Sequence, residues 1–517
     1  MTRTPARGAL LAALAVVVWL AATASLRPLT LPDEGRYVGV AFEMLRSGEW
    51  LTPTLDGLPY FHKPPLFYWI TAASLAVFGV NQWAARLAPL LGALFAAASL
   101  YLFVRRWADE RSARTSLLVL LTMPFFFIAA QFANLDMLVA GCIAASVLST
   151  AHAVLAAESE LPARRALIGG YAAAGFGVLA KGLIGFVLPA LVILVWLAAS
   201  RRMRLLTRLL SLPGLLVLLA IAAPWFVAMQ SRYPAFFDYF FVVQHFKRFA
   251  ESGFNNAQPF WFLPAVVAVL CLPWSPWLGF ALRKRVAASS PLRSLMVVWF
   301  AVVLLFFSLP NSKLVGYVLP ALPPLAFLIA DVALGGRLAA RGRRAWQASA
   351  ALAAATCVGA AGALAVFHPP TSRPLAIVLA ERRAAGEPVY FLNGYYFDVA
   401  FYGRVAEPIG IADDWHDPSL HERDNWRKEL FDAGGFAPER AARTLLDREQ
   451  LPIALCRVPV GWVFAPPQSG SQHSYFRQAD IVAATPRVAL WRIDSRRPET
   501  FSALGCRGKP NADSTDK

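Results

Sequence analysis

Residues 6–26, ARGALLAALAVVVWLAATASL, are followed four residues later by LPDEGRYV at 31–38. The apolar run is about nineteen residues long, close to what a helix needs to cross hydrocarbon. Yet Asp33, Glu34 and Arg36 gather where it ends. Ionisable groups at a membrane boundary are ordinarily basic and face the cytoplasm. An acidic cluster there is either a plain surface turn or one part of a chemical site. The choice depends on which side of the membrane it reaches.

The chain has 517 residues, of which 57% are hydrophobic and only 16% charged. That composition excludes an ordinary soluble enzyme and a disordered chain, because repeated apolar runs near twenty residues are membrane spans. The net charge of +17 does not indicate a nucleic-acid partner, because much of the excess sits in short clusters between apolar segments. These are RRWADERSAR (105–114), RRMR (201–204), RKR (283–285) and RGRR (341–344). Such clusters mark cytoplasmic loops. Cys142, Cys271 and Cys357 lie in apolar segments, where small buried thiols are ordinary. Cys456 and Cys506 lie in the tail, where they form a disulfide only if that tail is exported, and otherwise remain two thiols.

Charge fixes a path through the bilayer. Arg3 and Arg7 hold the N-terminus in the cytoplasm, so a retained span at 8–27 delivers LPDEGRYV outside. A cleaved signal peptide is the competing reading of this segment, set aside because many spans follow. The apolar stretch Leu66–Phe78 is short for a span, and reading it as a crossing would put the arginine loop 105–114 outside. Read as an interfacial or re-entrant segment, it leaves that loop inside. Crossings then follow at 84–104, 115–132, 137–157, 167–180, 183–200, 209–229, 260–282, 291–309, 314–334 and 345–367. Nearly every basic loop falls inside. The expected fold is a polytopic α-helical membrane protein with about 11–13 transmembrane helices over residues 1–367. Its first periplasmic loop, 28–83, holds interfacial helices. Residues 368–517 form an extracytoplasmic α/β domain, with strands expected in EPVYFLNGYYF (387–397) and RVALWRI (487–493).

Four loops converge on the outer face in this topology. They carry LPDEGRY with LPYFHKPPLFYW (58–69), FANLDM (132–137), YFFVVQHFKRFAESGFNNAQPFWF (239–262) and NSKLVGYVLP (311–320). Aromatics at span ends are ordinary belt residues and lysines commonly snorkel. Acids gain nothing from the orientation rule and cost free energy near lipid, so Asp33 and Asp136 point to a polar cavity. Arginine and lysine suit a phosphate, here one carried on a lipid, and an acid beside them can orient or deprotonate an acceptor.

LPDEGRY and YFHKPPLFYW resemble the class C glycosyltransferases of the protein-mannosyltransferase-like superfamily, and within it the bacterial lipid A aminoarabinose transferase family. KGLIG (181–185), QHFKRF (244–249), NAQPFWF (256–262) and SKLVGYVLPALPPLA (312–326) resemble that family in the same order. The likeness spans roughly residues 8–335 and extends more loosely through YYFDVAFYGR (395–404). It implies a class C glycosyltransferase fold and an inner-membrane enzyme with a periplasmic site. The donor would be a sugar on undecaprenyl phosphate, and the reaction an inverting transfer without a covalent enzyme intermediate. By the same resemblance, Asp33 and Asp136 match the catalytic acids, and Tyr60, Lys63, Arg248 and Tyr317 match contacts of the donor phosphate. Charge and position add Lys313 to that phosphate set, and Glu34 and Arg36 are candidate substrate contacts. The family stretch often reads YFEKPP where this chain has His62, which leaves the sugar open. No cofactor is required on this reading; the alternative is a divalent metal held by His62 and His245.

The expected function is transfer of 4-amino-4-deoxy-L-arabinose or a related sugar to lipid A or another envelope acceptor, by a monomer embedded in membrane lipid and without nucleic acid. A protein O-glycosyltransferase keeps the fold and changes the acceptor. A transporter or flippase for a lipid-linked sugar would place its acids near the midplane between inverted repeats, and no such repeat is visible.

Overall fold

The computed structural model describes residues 4–247, 256–283, 290–334, 340–368, 371–421 and 425–507. The chain divides into two compact units, one of Met1–Arg27 with His62–His368, the other of Pro28–Phe61 with Pro369–Lys517.

The first unit is helical. Among the described residues, six of its helices are long and apolar enough to cross a membrane, including Leu87–Trp107, Leu135–Glu158, Leu212–Arg232 and Pro291–Ser308. Leu10–Ala21, Leu66–Phe78 and Ile184–Ala199 are shorter apolar helices. Helix Leu135–Glu158 is the centre of the bundle, buried along most of its length. Its approach to Leu87–Trp107 is set by two glycines. A Cβ on Gly141 would collide with the backbone of Gly92, and one on Gly92 with that of Met137 and Leu138. With no hydrophobic drive between helices in lipid, small residues that admit close backbone contact carry the packing.

Two expected spans are interrupted. The segment 115–132 is split into Glu110–Leu121 and Pro124–Ala129, and 260–282 into Phe262–Leu270 and Pro276–Arg283. Each break carries a proline, Pro124 or Pro273, which lacks a donor and crowds the preceding turn. The two breaks meet: Trp274 Nε1 donates to Thr122 Oγ1 at 3.0 Å, and that hydroxyl donates to Leu118 O at 2.7 Å. Irregular backbone at membrane depth survives only where neighbours satisfy it in this way.

The second unit is α/β. Helix Asp33–Ser47 leads into a hairpin of β1 (Thr54–Leu55) and β2 (Leu58–Pro59), whose Asp56–Gly57 turn has φ of 51° and 75°, the left-handed pair that a two-residue hairpin turn demands. The C-terminal segment supplies β3 (Val389–Leu392), β4 (Gly410–Asp413), β5 (Leu445–Asp447), β6 (Val460–Ala465), β7 (Asp480–Ala484) and β8 (Ala489–Asp494). They form one sheet in the order β5-β4-β3-β6-β8-β7, parallel from β5 to β6 and antiparallel beyond. The two runs expected as strands contribute β3 and β8. The central strands β3 and β6 are buried at every position, as strands covered on both faces must be. Cys456 and Cys506 are joined in a disulfide beside this core.

The expected loop 28–83 is therefore divided. Residues 28–61 sort with the tail, because Gly35 lets the helix approach Phe397 within van der Waals contact, Phe42 packs edge-on to Phe401 at 5.9 Å, and Arg36 pairs with Glu429.

Candidate active site

The acidic cluster of the opening stretch resolves into three different roles. Asp33 and Glu34 occupy the first turn of helix Asp33–Ser47, where carboxylates meet the positive end of the helix dipole. Glu34 is fully buried and accepts from Thr30 N at 2.8 Å, so it braces the turn. Arg36 bridges Asp33 Oδ1 at 2.6 Å and Glu429 Oε1. The two clamped ends differ in exposure: the Glu429 side chain is 7% exposed and Asp33 47%. Asp33 thus presents an accessible carboxylate whose direction is fixed by a held guanidinium, and its Oδ2 has no protein partner among the described residues. Tyr60 belongs to the same unit, buried and within electrostatic reach of Arg36.

Below the hairpin lies a second acidic pair, Asp56 buried and Glu43 half-buried. Glu43 Oε1 accepts from Gly57 N at 2.6 Å, and Asp56 Oδ1 accepts from Ile409 N at 3.2 Å. Burial, then the neighbouring Glu43, pushes the Asp56 carboxyl up to about 7. Burial also raises Glu43. These are groups that tie the hairpin to the sheet.

In the helical unit, Asp136 starts helix Leu135–Glu158. Its backbone N–H donates to the Asn134 side chain at 2.8 Å, and Asn134 Nδ2 donates to Asp136 Oδ2 at 3.2 Å. Asp136 Oδ1 is paired with Lys181 Nζ, and that ammonium lies 4.9 Å from the ring centre of Tyr317. Tyr317 stacks on Phe307 at 4.8 Å. Gly316 is required here, because a Cβ would run into the Asp136 carboxylate. The result is a buried acid–cation–aromatic cluster drawn from three segments of chain.

Lys181 was not expected among the site residues. The signal available was KGLIG, a lysine closing an apolar helix, which reads equally as a functional residue and as a snorkelling one. Glu429 gave no such signal, since it is one of many acids in a polar tail.

The remaining candidates divide. His62 is buried, with Nε2 at 2.7 Å from Tyr239 OH, which also accepts from Gln244 Nε2 at 3.1 Å. Among the described residues no group of three His, Cys, Asp or Glu side chains gathers that could hold a metal. The His245 side chain and all of Arg248 lie outside the described residues. Lys63 is half-buried just before the prolines that open helix Leu66–Phe78. Lys313 is 3% exposed and donates to Gln258 O at 2.6 Å, while its backbone N–H bonds Asn256 O. Its charge pins one loop against another.

Residues 62–227 match the family model described as dolichyl-phosphate-mannose-protein mannosyltransferase. The chain is 35% identical over 330 residues to the undecaprenyl phosphate-alpha-4-amino-4-deoxy-L-arabinose arabinosyl transferase of Pseudomonas aeruginosa, covering 61% of this chain and 58% of that protein. The protein of the same description from Erwinia tasmaniensis is 34% identical over 365 residues, covering 70% and 65%. The chain thus spans about three fifths of the length of the curated relatives it matches. Among solved structures, ArnT from Cupriavidus metallidurans in the apo state superposes with a TM-score of 0.79 at 24% identity, covering 98% of this chain and 100% of that one. The oligosaccharyltransferase of Archaeoglobus fulgidus superposes at 0.52 and 15% identity, over 90% and 70%. The family model, the relatives and the fold agree: this chain is a multi-pass membrane protein with the class C glycosyltransferase fold, similar to the aminoarabinose arabinosyl transferases over about three fifths of their length.

Proposed function

We propose that the chain transfers 4-amino-4-deoxy-L-arabinose, or a related sugar, from undecaprenyl phosphate to lipid A or another envelope acceptor. The reaction takes place on the periplasmic face of the inner membrane, with the N-terminus in the cytoplasm and the C-terminal domain outside. The observation that carries this reading is Asp33, an accessible carboxylate held in a fixed direction by Arg36 and Glu429. The Cys456–Cys506 disulfide supports an exported tail, and the relatives support the donor and the sugar.

In the proposed chemistry the acceptor oxygen attacks the anomeric carbon from the side opposite the phosphate. The bond from that carbon to the phosphate oxygen breaks, and undecaprenyl phosphate leaves with the electron pair. Lys63 and Arg248 stabilise the growing negative charge, with Tyr60 and Tyr317 alongside; fixed cations out of bulk water are effective in this task. Lys313 contributes by holding its loop. Asp136 and Lys181 act as a neutral pair that shapes the donor pocket. With a phosphate acceptor, already ionised, Asp33 positions it; with a hydroxyl acceptor, Asp33 takes the proton. No step is routed through a metal.

A protein hydroxyl as acceptor is the second reading, favoured by the family model's description as a protein mannosyltransferase. Mass spectrometry of lipid A and of envelope proteins, from cells with and without the gene, separates the two. A pentosamine-sized addition on lipid A that disappears with the gene supports the first reading. An unchanged lipid A beside a lost protein glycan supports the second.

A further inference from the structure

A cavity of about 490 Å³ lies within the helical unit, between the C-terminal end of helix Leu135–Glu158, the start of helix Arg164–Lys181 and the start of helix Leu212–Arg232. Its size is that of a small-molecule site. Val154, Leu167, Leu209 and Leu212 make its walls largely apolar, and Arg164 and Arg208 are its charged lining residues, with no acid beside them. Arg208 makes one long bond, to Ala157 O at 3.4 Å. Arg164 has no hydrogen bond or ion pair among the described residues. Glu158, at the end of helix Leu135–Glu158, is held by Arg202 at 2.7 Å.

The surroundings are strongly basic. Trp107 bonds His152 at 3.1 Å, and Arg202 bonds Glu158, so three helix-connecting turns meet at one end of the bundle. Residues 101–114, 152–165 and 201–208 together hold ten arginines against four carboxylates. Leu210 and Leu212 are 73% and 68% exposed, and they lead from the cavity to the outside of the bundle. A basic pocket between membrane helices, open to lipid along an apolar edge, is built for a phosphate that carries acyl chains.

We propose that this cavity binds an anionic phospholipid, its phosphate between Arg164 and Arg208 and an acyl chain along Leu209, Leu210 and Leu212. The site is separate from the proposed sugar chemistry and does not rest on it. The occupant is a lipid and not a free anion, because most of the lining offers only apolar contact, which acyl chains use and an inorganic phosphate does not.

The test is native mass spectrometry of the full chain in detergent, titrated with phosphatidylglycerol or with phosphatidylcholine. The wild type is compared with R164Q/R208Q and with R111Q/R114Q, which removes the same charge outside the cavity. Phosphatidylglycerol adducts fall at least tenfold in R164Q/R208Q and stay within twofold of wild type in R111Q/R114Q, while phosphatidylcholine binds all three alike. Should R164Q/R208Q not remain monodisperse, R164Q alone carries the same comparison, with a fall of at least threefold expected. Equal losses in both double variants would reduce the effect to bulk charge and overturn the proposal, as would no loss at all. Displacement of the lipid by millimolar inorganic phosphate in the wild type would also overturn it, in favour of a free-anion site.

Discussion

Replacing Lys181 with methionine keeps most of the side chain's length and leaves the Asp136 carboxylate without its cation. The two side chains are only 18% and 11% exposed, so water cannot make good the loss. Breaking a buried pair from one side costs about 3–5 kcal/mol, because the remaining charge is stranded. The Asn134 amide still donates to Asp136 Oδ2 at 3.2 Å, which places the expectation at the lower end, about 3 kcal/mol. Adding Asp136→Asn removes the stranded charge and returns stability to within about 1 kcal/mol of the parent, the gain that a double-mutant cycle isolates for contacting residues. The assay is denaturant unfolding of the purified chain in detergent, with sugar transfer measured on the same preparations. Neither variant transfers sugar, so stability recovers while activity does not. A Lys181→Met protein within about 0.5 kcal/mol of the parent, the range of an ordinary surface change, would refute the reasoning. A double variant no more stable than the single one would also refute it.

Two further outcomes follow from the same geometry. Burial raises Asp56 to about 7 and raises Glu43, so the folded hairpin holds protons that the unfolded chain releases near the ordinary carboxylate pKa of about 4. That stabilisation is complete below about pH 4 and is lost as pH rises through about 7, at up to roughly 1.4 kcal/mol per pH unit. Hydrogen exchange of residues 54–59 and β4 becomes faster from pH 5 to pH 8, and Asp56→Asn flattens the dependence; an unchanged slope in that variant contradicts the assignment. Gly141→Val forces its side chain into the Gly92 backbone and costs at least about 1–3 kcal/mol by overpacking. The yield of monodisperse protein after solubilisation reads this out, and a parental yield would mean the two helices are not in backbone contact.

Much of the fold was legible because the membrane makes its demands in simple terms. Apolar length marks the helices, arginine clusters order the loops, and runs rich in β-branched and aromatic residues mark β3 and β8. The interrupted spans were not legible, since Pro124 and Pro273 are ordinary within apolar runs until Thr122 and Trp274 are seen to satisfy the break. The division of the first loop was equally hidden. It depends on pairs such as Arg36–Glu429 and Asp56–Ile409, separated by more than 350 residues in sequence. The candidate carboxylates were singled out because charge next to hydrocarbon is costly. Their roles were not, because burial distinguishes the bracing Glu34 from the accessible Asp33, and sequence does not report burial. Lys181 was overlooked because a lone lysine closing an apolar helix also reads as a snorkelling residue.

The account rests most directly on Asp33. Its side chain is half exposed and its loss leaves no buried charge without a partner except Arg36, which keeps Glu429. Lipid A mass spectra from deletion cells complemented with the parent or with Asp33→Asn, at matched protein levels, test the claim. The parent restores the pentosamine-sized addition, and Asp33→Asn lowers it at least about 100-fold, the lower end of what a positioned acid or base contributes. Restoration of the addition by Asp33→Asn at the parental level would contradict the account.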